Sequence, residues 1–164
     1  IEAGKMDLQI EAVSLNQLIK ESFVFVEILA KKHHISLIDN ITKDTDYKVL
    51  ADRIRFKQVL LNLLSNAVKY NCEHGSVEIS HTLLANNMLK IGIKDTGIGL
   101  SQQQIDALFV AFERVGAEHS SIQGTGIGLI IARRLIKAMG GEIGVTSTVD
   151  EGSTFWITIP LAQS

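Results

Sequence analysis

Cysteine is almost absent from this chain of 164 residues, which contains only Cys72. A single thiol excludes a disulfide within the chain, and we expect a reducing compartment, the cytoplasm. The net charge is −2, and no basic run is interleaved with aromatic side chains, so we expect no nucleic-acid partner. No apolar run approaches the length of a membrane span and the first residues lack a signal-peptide pattern, so we expect no direct membrane contact from this segment.

Hydrophobic residues make up 46% of the chain, which suits one domain with a sizeable core. The chain opens at "IEAGKM" without an initiator methionine. We therefore expect a piece of a longer protein, in which residues 1–10 form a linker and residues 11–164 form the domain. The longer protein could still carry a membrane anchor.

Two long helices are predicted in the first half of the chain. Ser14 is a good N-cap with Gln17 three residues on, and "LNQLIKESFVFVEILAKKH" then repeats apolar residues at helical spacing. A second helical pattern runs from Asp52 to Tyr70. Its apolar stripe is predicted to consist of Ile54, Val59, Leu60, Leu63, Leu64 and Ala67.

Strands are predicted between and after these helices. "HISLIDN" alternates like a strand, and "YKVLAD" is a shorter candidate. "GSVEISHTLL" and "MLKIGIKD" predict a hairpin with its turn at Asn86–Asn87. A short helix in "SQQQIDALFVAF", a helix in "IGLIIARRLIKAM" and the strands "GEIGVTST" and "STFWITIP" follow. This order predicts an α+β fold, with a mixed sheet and helices packed on one face.

Two glycine-bearing turns stand out, Asp95-Thr-Gly97-Ile-Gly99 and Gly124-Thr-Gly126-Ile-Gly128. The second turn immediately precedes a helix, whose first backbone N–H groups lack partners and would suit a phosphate. The alternative is a tight loop that only lets helix and strand pack. Neither turn matches the Gly-Lys-Ser/Thr or G-x-G-x-x-G phosphate loops.

One face of the second helix carries Asn62, Asn66 and Lys69, at positions i, i+4 and i+7. Asparagine is a poor helix former, so two in mid-helix need a reason. An amide oxygen is a hard, neutral Mg²⁺ ligand, and a lysine could meet phosphates as a point charge. A solvated polar face is the alternative interpretation.

A lone carboxylate, Asp95, stands where a strand that reads as buried meets the first glycine turn. Such a group is costly to bury unless something donates hydrogen bonds to it. Either the protein or a ligand must supply the donor.

Four segments resemble, in order, the N, G1, F and G2 boxes of the catalytic ATP-binding domain of bacterial sensor histidine kinases. These segments are "NLLSNAVKYN", "DTGIGL", "LFVAFERVG" and "GTGIGLIIARRLIKAMGGEIGVTSTVDEGSTFWITIP". The resemblance covers roughly the last two-thirds of the chain. It implies the Bergerat fold, a two-layer α/β sandwich with a mostly antiparallel sheet, and residues 1–10 would be the linker from a dimerisation and phosphoacceptor domain.

For the purine end of ATP, the resemblance implies that Asp95 accepts a hydrogen bond from the exocyclic amine of adenine. A carboxylate accepts from an amino group and repels the carbonyl oxygen that guanine shows at the same place. Thr154 is expected to support the same base edge through water. Gly97 and Gly99 would let the backbone approach the purine.

For the phosphate end, the resemblance implies that Asn66 binds Mg²⁺, and that Asn62, Lys69 and Tyr70 line the nucleotide. The phosphates would be framed by Gly124, Thr125, Gly126, Gly128 and Leu129.

The segment "ERVGAEHSSIQ" would be a mobile lid over ATP. Phe109 and Phe112 are expected to pack at its base. Arg114 is a candidate for holding phosphate charge during transfer, and an ordinary surface arginine is the alternative.

Phosphoryl transfer in this family needs a histidine followed by an acidic residue, and no histidine of this chain precedes Asp or Glu. We expect the acceptor on a dimerisation domain outside the segment, with a response regulator as the next partner. The isolated domain, expected to be monomeric, should bind Mg-ATP without autophosphorylation.

Relatives that hydrolyse ATP carry a glutamate four residues before the Mg²⁺ asparagine, where this chain has Asn62. An amide cannot act as a general base, which favours a kinase over an ATPase. A module that binds nucleotide without transferring phosphate is the third possibility.

Overall fold

A computed structural model describes residues 7–43, 45–113 and 125–162, without the side chains of residues 109–113 and 125–127. In chain order its elements are β1 (Ile10–Ser14), α1 (Leu15–Lys32), β2 (Ser36–Asp39), β3 (Lys48–Asp52), α2 (Arg53–Lys69), β4 (Ser76–Leu84), β5 (Met88–Asp95), α3 (Gln102–Glu113), α4 (Thr125–Ala138), β6 (Ile143–Thr148) and β7 (Gly152–Pro160).

Both long helices begin at side-chain caps. The Ser14 hydroxyl accepts from Gln17 N at 3.2 Å, as predicted, and the Asp52 carboxylate accepts from Arg55 N at 3.0 Å. Each bond satisfies one of the N–H groups that a helix start leaves without a partner. The predicted helices α1 and α2 are confirmed.

The apolar stripe predicted on α2 is wrong at its first member. Ile54 is 77% exposed, whereas Phe56 is fully buried. Two residues along a helix are about 200° apart around its axis, so these side chains point to opposite sides. The other predicted members are buried, together with Val68.

The main sheet has five strands in the order β2-β4-β5-β7-β6. β2 runs parallel to β4 and the other pairs are antiparallel. The β4–β5 hairpin turns at Asn86 and Asn87, whose φ angles of 62° and 60° are typical of a tight hairpin turn. The mixed, mostly antiparallel sheet and the hairpin are therefore confirmed. β1 and β3 pair separately as a two-stranded sheet, which the sequence did not predict.

The main sheet buries one face against α2 and α4. On that inner face Ile79, Ile93 and Phe155 lie side by side, because Ile93 pairs with both neighbours. Trp156, next to Phe155 in β7, points to the other face, where Lys90 Nζ lies 4.9 Å from its ring centre. The helices thus pack on one face of the main sheet only, as predicted for a two-layer fold.

No helix of the described residues has both the length and the apolar character needed to cross a membrane.

Candidate functional site

A cavity of about 250 Å³ lies between the C-terminal half of α2 and the end of β5, and we call it the α2–β5 cavity. It is lined by Asn66, Ala67, Tyr70, Asp95, Ile98, Gly99, Leu100, Leu108, Ser153 and Phe155. Most of these contribute apolar surface, with polar groups at a few points, which is the usual composition of a small-molecule site. A wider groove between α1 and β2 contains none of the motif residues.

Asp95 is the buried carboxylate of this cavity, with 8% of its surface exposed. Its Oδ1 accepts from Gly97 N at 2.9 Å and from Ser153 N at 3.2 Å. Within the described part of the chain, no donor is recorded on Oδ2. Burial raises the pKa of Asp95 above its ordinary value of 3.8, although the two backbone donors act in the opposite direction. The carboxylate therefore retains unused acceptor capacity beside the cavity.

The glycines of the first turn let three backbone segments meet around Asp95. A Cβ on Gly97 would overlap the Tyr70 carbonyl oxygen, so the turn packs directly on the end of α2. Gly99 has a φ of +72°, and a Cβ there would overlap the Thr148 carbonyl oxygen at the end of β6. Larger residues at either position would push one wall of the cavity outward.

Side-chain hydrogen bonds reinforce the contact between this turn and the end of α2. Thr96 Oγ1 donates to Asn71 Oδ1 at 2.9 Å and accepts from Ser76 N at 2.9 Å. Asn71 Nδ2 donates to Ser76 O at 2.9 Å, and Cys72 Sγ lies 3.1 Å from Thr96 O. We call Asn71 and Thr96 the α2–turn clamp. It fixes Tyr70 relative to Asp95, and both of these line the cavity.

On α2 the two asparagines bond to each other. Asn66 Nδ2 donates to Asn62 Oδ1 at 3.0 Å, so Asn66 Oδ1 remains available as an acceptor. Asn66 lines the cavity, whereas Asn62 and the exposed Lys69 lie outside its lining. The structure thus places Asn66 and Tyr70 in the same cavity as Asp95.

The start of α4 lies against Asn62. A Cβ on Gly128 would overlap the Asn62 side-chain amide, so the first turn of α4, which includes Thr125 and Gly126, approaches the polar face of α2. The N–H groups of that turn lack helical acceptors. Leu129 is 1% exposed, so its side chain belongs to the core. Its expected place beside the phosphates stays a prediction, which its backbone would have to fulfil.

Thr154 does not line the α2–β5 cavity, and its expected support of the base edge through water stays a prediction. It pairs with Lys94, and its Cγ2 lies 3.6 Å from the Cβ position of Gly92, on the outer face of the sheet. The neighbouring Ser153 lines the cavity and binds Asp95 through its backbone. Strand alternation in "STFWITIP" could have found it, because side chains two apart share a face and Ser153 precedes the inner Phe155 by two.

Several predicted residues lie outside the described part of the structure. Arg114 and Gly124 belong to this group, with most of the segment predicted as a lid. The side chains of Phe109 and Phe112 are also outside it.

Comparison with known proteins supports the relationship that the motifs suggest. Residues 51–163 match the family described as histidine kinase-, DNA gyrase B- and HSP90-like ATPases. The sensor histidine kinase GacS of Pseudomonas protegens is 40% identical over 170 residues, which cover all of this chain and 18% of GacS. The signal transduction histidine-protein kinase BarA of Escherichia coli K12 is 36% identical over 98% of this chain and 18% of its own length. The chain thus spans less than a fifth of these relatives.

Two solved histidine kinase structures superimpose on this chain. Full-length ShkA in complex with AMPPNP superimposes with a TM-score of 0.82 at 27% identity, covering 97% of this chain and 32% of ShkA. The nucleotide-free catalytic domain of the histidine kinase ThkA gives a TM-score of 0.76 at 26% identity, covering 93% of this chain and 96% of that domain.

The mixed, mostly antiparallel sheet with helices on one face is the fold that these catalytic domains share. The chain belongs to the histidine kinase-, DNA gyrase B- and HSP90-like ATPase family. Within that family it is an ATP-binding catalytic domain of the two-component sensor histidine kinases.

Proposed function

We propose that the α2–β5 cavity binds the adenine of Mg-ATP and that the domain presents the γ-phosphate to a histidine of a dimerisation domain in the same protein. The observation that carries the proposal is the buried carboxylate of Asp95, whose Oδ2 has no recorded donor while Oδ1 accepts two backbone N–H groups. The exocyclic amine of adenine would supply the missing donor. Guanine would place a carbonyl oxygen there and be repelled.

The apolar part of the cavity suits the faces of a purine. Leu100, Leu108 and Phe155 contribute side chains to the lining, and Gly99 of the first glycine turn lines it as well. The turn at Gly97 and Gly99 would let the backbone approach the base. Burial of these surfaces against a flat aromatic ring would supply affinity, while Asp95 would supply selectivity.

The phosphate end would lie between the polar face of α2 and the start of α4. Asn66 Oδ1 is the free oxygen that Mg²⁺ would take as a ligand, since Asn66 Nδ2 is engaged by Asn62. Among the described residues, no cluster of three His, Cys, Asp or Glu side chains could hold a metal, so the ion would depend on phosphate oxygens for its remaining charge. Lys69, Tyr70 and the glycines Gly124, Gly126 and Gly128 would contact the nucleotide. Arg114 would hold phosphate charge during transfer.

In the reaction, an imidazole nitrogen of the acceptor histidine attacks the γ-phosphorus, and the bond from the γ-phosphorus to the β–γ bridging oxygen breaks. ADP leaves, and the imidazole proton passes to a base outside this chain. The phosphoryl group would then move to a response regulator, and the reaction would take place in the cytoplasm. No histidine here precedes an acidic residue, so the isolated domain, expected to be monomeric, should bind Mg-ATP without labelling itself.

Hydrolysis is the second candidate function because the family includes ATPases. Asn62 argues against it: its Oδ1 already accepts from Asn66, and an amide cannot take a proton from water.

The substitution Asp95→Asn tests adenine recognition. The Asn carbonyl oxygen would keep the two backbone bonds, so the amide nitrogen would face the cavity as a donor. We expect ADP to bind roughly 10- to 150-fold more weakly, with a smaller preference over GDP, in calorimetry. Asp39→Asn is the matched control, since Asp39 Oδ1 also accepts two backbone N–H groups but lies outside the cavity. Unchanged ADP affinity in Asp95→Asn would refute the placement.

Transfer is tested by mixing the domain with a fragment that carries the acceptor helices and with ATP labelled at the γ-phosphate. Acid-labile, base-stable label on the fragment supports the kinase. Release of phosphate without label supports the ATPase, and neither product indicates a module that only binds nucleotide.

A further inference from the structure

Ser147 on β6 connects the glycine turn to the strand that carries Ser153. Its Oγ accepts from Leu100 N at 2.6 Å, donates to Gly152 O at 3.0 Å and lies 2.7 Å from Ser153 Oγ. Leu100 and Ser153 both line the α2–β5 cavity, but Ser147 does not. Ser147 therefore acts on the cavity only through its neighbours.

The three contacts of Ser147 fix the direction of the hydroxyl hydrogens. Leu100 N can only donate, and Gly152 O can only accept. A serine hydroxyl has one hydrogen, so if Ser147 gives its hydrogen to Gly152 O, Ser153 must donate to Ser147. This is the one arrangement in which all three contacts are hydrogen bonds.

With its hydrogen committed to Ser147, Ser153 Oγ can only accept. The backbone of the same residue contacts Asp95, because Ser153 N donates to Asp95 Oδ1 at 3.2 Å. As a carboxylate, Asp95 can only accept. The polar edge of the cavity thus presents acceptors from two residues. An amino group has two hydrogens to offer such an edge, whereas a carbonyl oxygen has none.

We propose that Ser147 is a positioning residue that turns the Ser153 hydroxyl into a pure acceptor and thereby strengthens selection for a purine with an exocyclic amino group. This inference rests on the proposed binding of adenine in the same cavity. It assigns to Ser147, a residue without ligand contact, part of the discrimination between adenine and guanine nucleotides.

A merely structural role for Ser147 would give a different result. If Ser147 only holds the glycine turn against β6, its loss would weaken ADP and GDP binding by similar factors. If it sets the hydroxyl direction, Ser147→Ala frees Ser153 to donate to a guanine oxygen, and the ratio of the two affinities falls.

The experiment measures the dissociation constants of ADP and GDP by calorimetry. In Ser147→Ala we expect the preference for ADP over GDP to fall roughly 10-fold, the size of one hydrogen bond. Ser147→Thr keeps the hydroxyl and should restore most of the preference. Thr146→Ala is the matched control: it lies next to Ser147 on β6, but its side chain leaves the opposite face of the strand. It should leave the preference unchanged.

A double-mutant cycle tests whether Ser147 acts through Ser153. Ser153→Ala alone should also lower the preference for ADP, and Ser147→Ala added to it should have little further effect on the ratio. An unchanged ratio in Ser147→Ala, or in Ser153→Ala if Ser147→Ala does not fold, overturns the proposal. Additive effects on the ratio overturn it as well. Failure of the unmodified domain to bind ADP would instead contradict the proposed function.

Discussion

Asn66 donates its side-chain N–H to Asn62 Oδ1 at 3.0 Å, across one turn of α2. In this bond the amide nitrogen of Asn66 is engaged, which leaves the amide oxygen as an acceptor. Partners of this kind commonly orient metal ligands from a second layer of residues. Asn62 would thus contribute to metal binding without touching the ion.

This hydrogen bond predicts that substitutions at different positions on α2 reduce the Mg²⁺-dependent gain in ADP affinity to different extents. Asn66→Ala should abolish the gain in ADP affinity that Mg²⁺ provides, while metal-free nucleotide still binds weakly. Asn62→Ala should reduce that gain by about 10-fold, in the range known for partners of metal ligands, because Asn66 loses the bond that orients it. Titrations with and without Mg²⁺ measure the gain. Ser65→Ala, on the same helix, removes only a bond to the Asn62 carbonyl and should not change it. A normal Mg²⁺ dependence in Asn66→Ala would remove Asn66 from the proposed ligands.

The buried position of Asp95 predicts that its charge lowers the stability of the nucleotide-free domain while it favours nucleotide binding. Burial raises the pKa of Asp95 above 3.8, so the folded domain holds this proton more tightly than the unfolded chain does. The stability due to the protonated form is fully present below pH 3.8 and is lost as the pH rises through the raised native pKa. At neutral pH, nucleotide-free Asp95→Asn should therefore be more stable than the unmodified domain, although it binds ADP less well.

Asp39→Asn is a control in which stability should change with pH in the opposite direction. Burial acts upward on the pKa of Asp39, but hydrogen bonds from the Thr42 hydroxyl and from the backbone of Thr42 and Ile41 outweigh it and lower that pKa. Its stabilising contribution is present above pH 3.8 and is lost as the pH falls through the lowered native pKa. Denaturant unfolding from acid to neutral pH should show the two Asp→Asn differences changing in opposite directions. Parallel pH dependences would contradict the assigned burial of Asp95.

The contact between α4 and α2 predicts a strong effect at Gly128. A Cβ there would overlap the Asn62 amide, and overpacking of this kind costs about 1–3 kcal/mol. Gly128→Ala should lower the free energy of unfolding by such an amount and weaken ATP binding, and adding Asn62→Ala should restore part of the stability. Gly92→Ala is the control, since its Cβ would meet only Thr154 and Ser80 at 3.6 and 3.8 Å, ordinary contact distances. Equal effects of the two glycine substitutions in thermal unfolding would count against the close approach.

The sequence predicted the fold well because its signals are local. Helix caps at Ser14 and the Asn86–Asn87 turn depend on neighbours in the chain, and both were read correctly. The separate pairing of β1 with β3 depends on contacts across some forty residues and left no local signal. Ile54 was misread because an apolar residue in a first helical turn fits the period without having to be buried.

The site was less predictable than the fold. Asp95 and Asn66 were singled out because a lone acid and a mid-helix amide are unusual for their positions, and both line the α2–β5 cavity. Ser153 was overlooked, although strand alternation places it on the inner face with Phe155, and the pairing of Thr154 with Lys94 shows that Thr154 faces outward. Ser147 was not singled out, since its contact with Leu100 joins residues that are distant in sequence.

The α2–turn clamp predicts that affinity for ATP depends on a residue that does not line the cavity. Thr96→Val keeps the shape of the side chain but removes the hydroxyl that binds Asn71 Oδ1 and Ser76 N. Tyr70 and Asp95 would then lose their fixed separation, and we expect ADP to bind roughly 5- to 10-fold more weakly, in keeping with about 1 kcal/mol per hydrogen bond. Thr96→Ser keeps the hydroxyl and should restore affinity. Thr42→Val is the matched control, because the Thr42 hydroxyl binds Asp39 far along the chain from the clamp. Thr42→Val should lower the free energy of unfolding without changing the affinity for ADP. A loss of ADP affinity in Thr42→Val as large as in Thr96→Val would mean that general destabilisation, and not the clamp, controls the site.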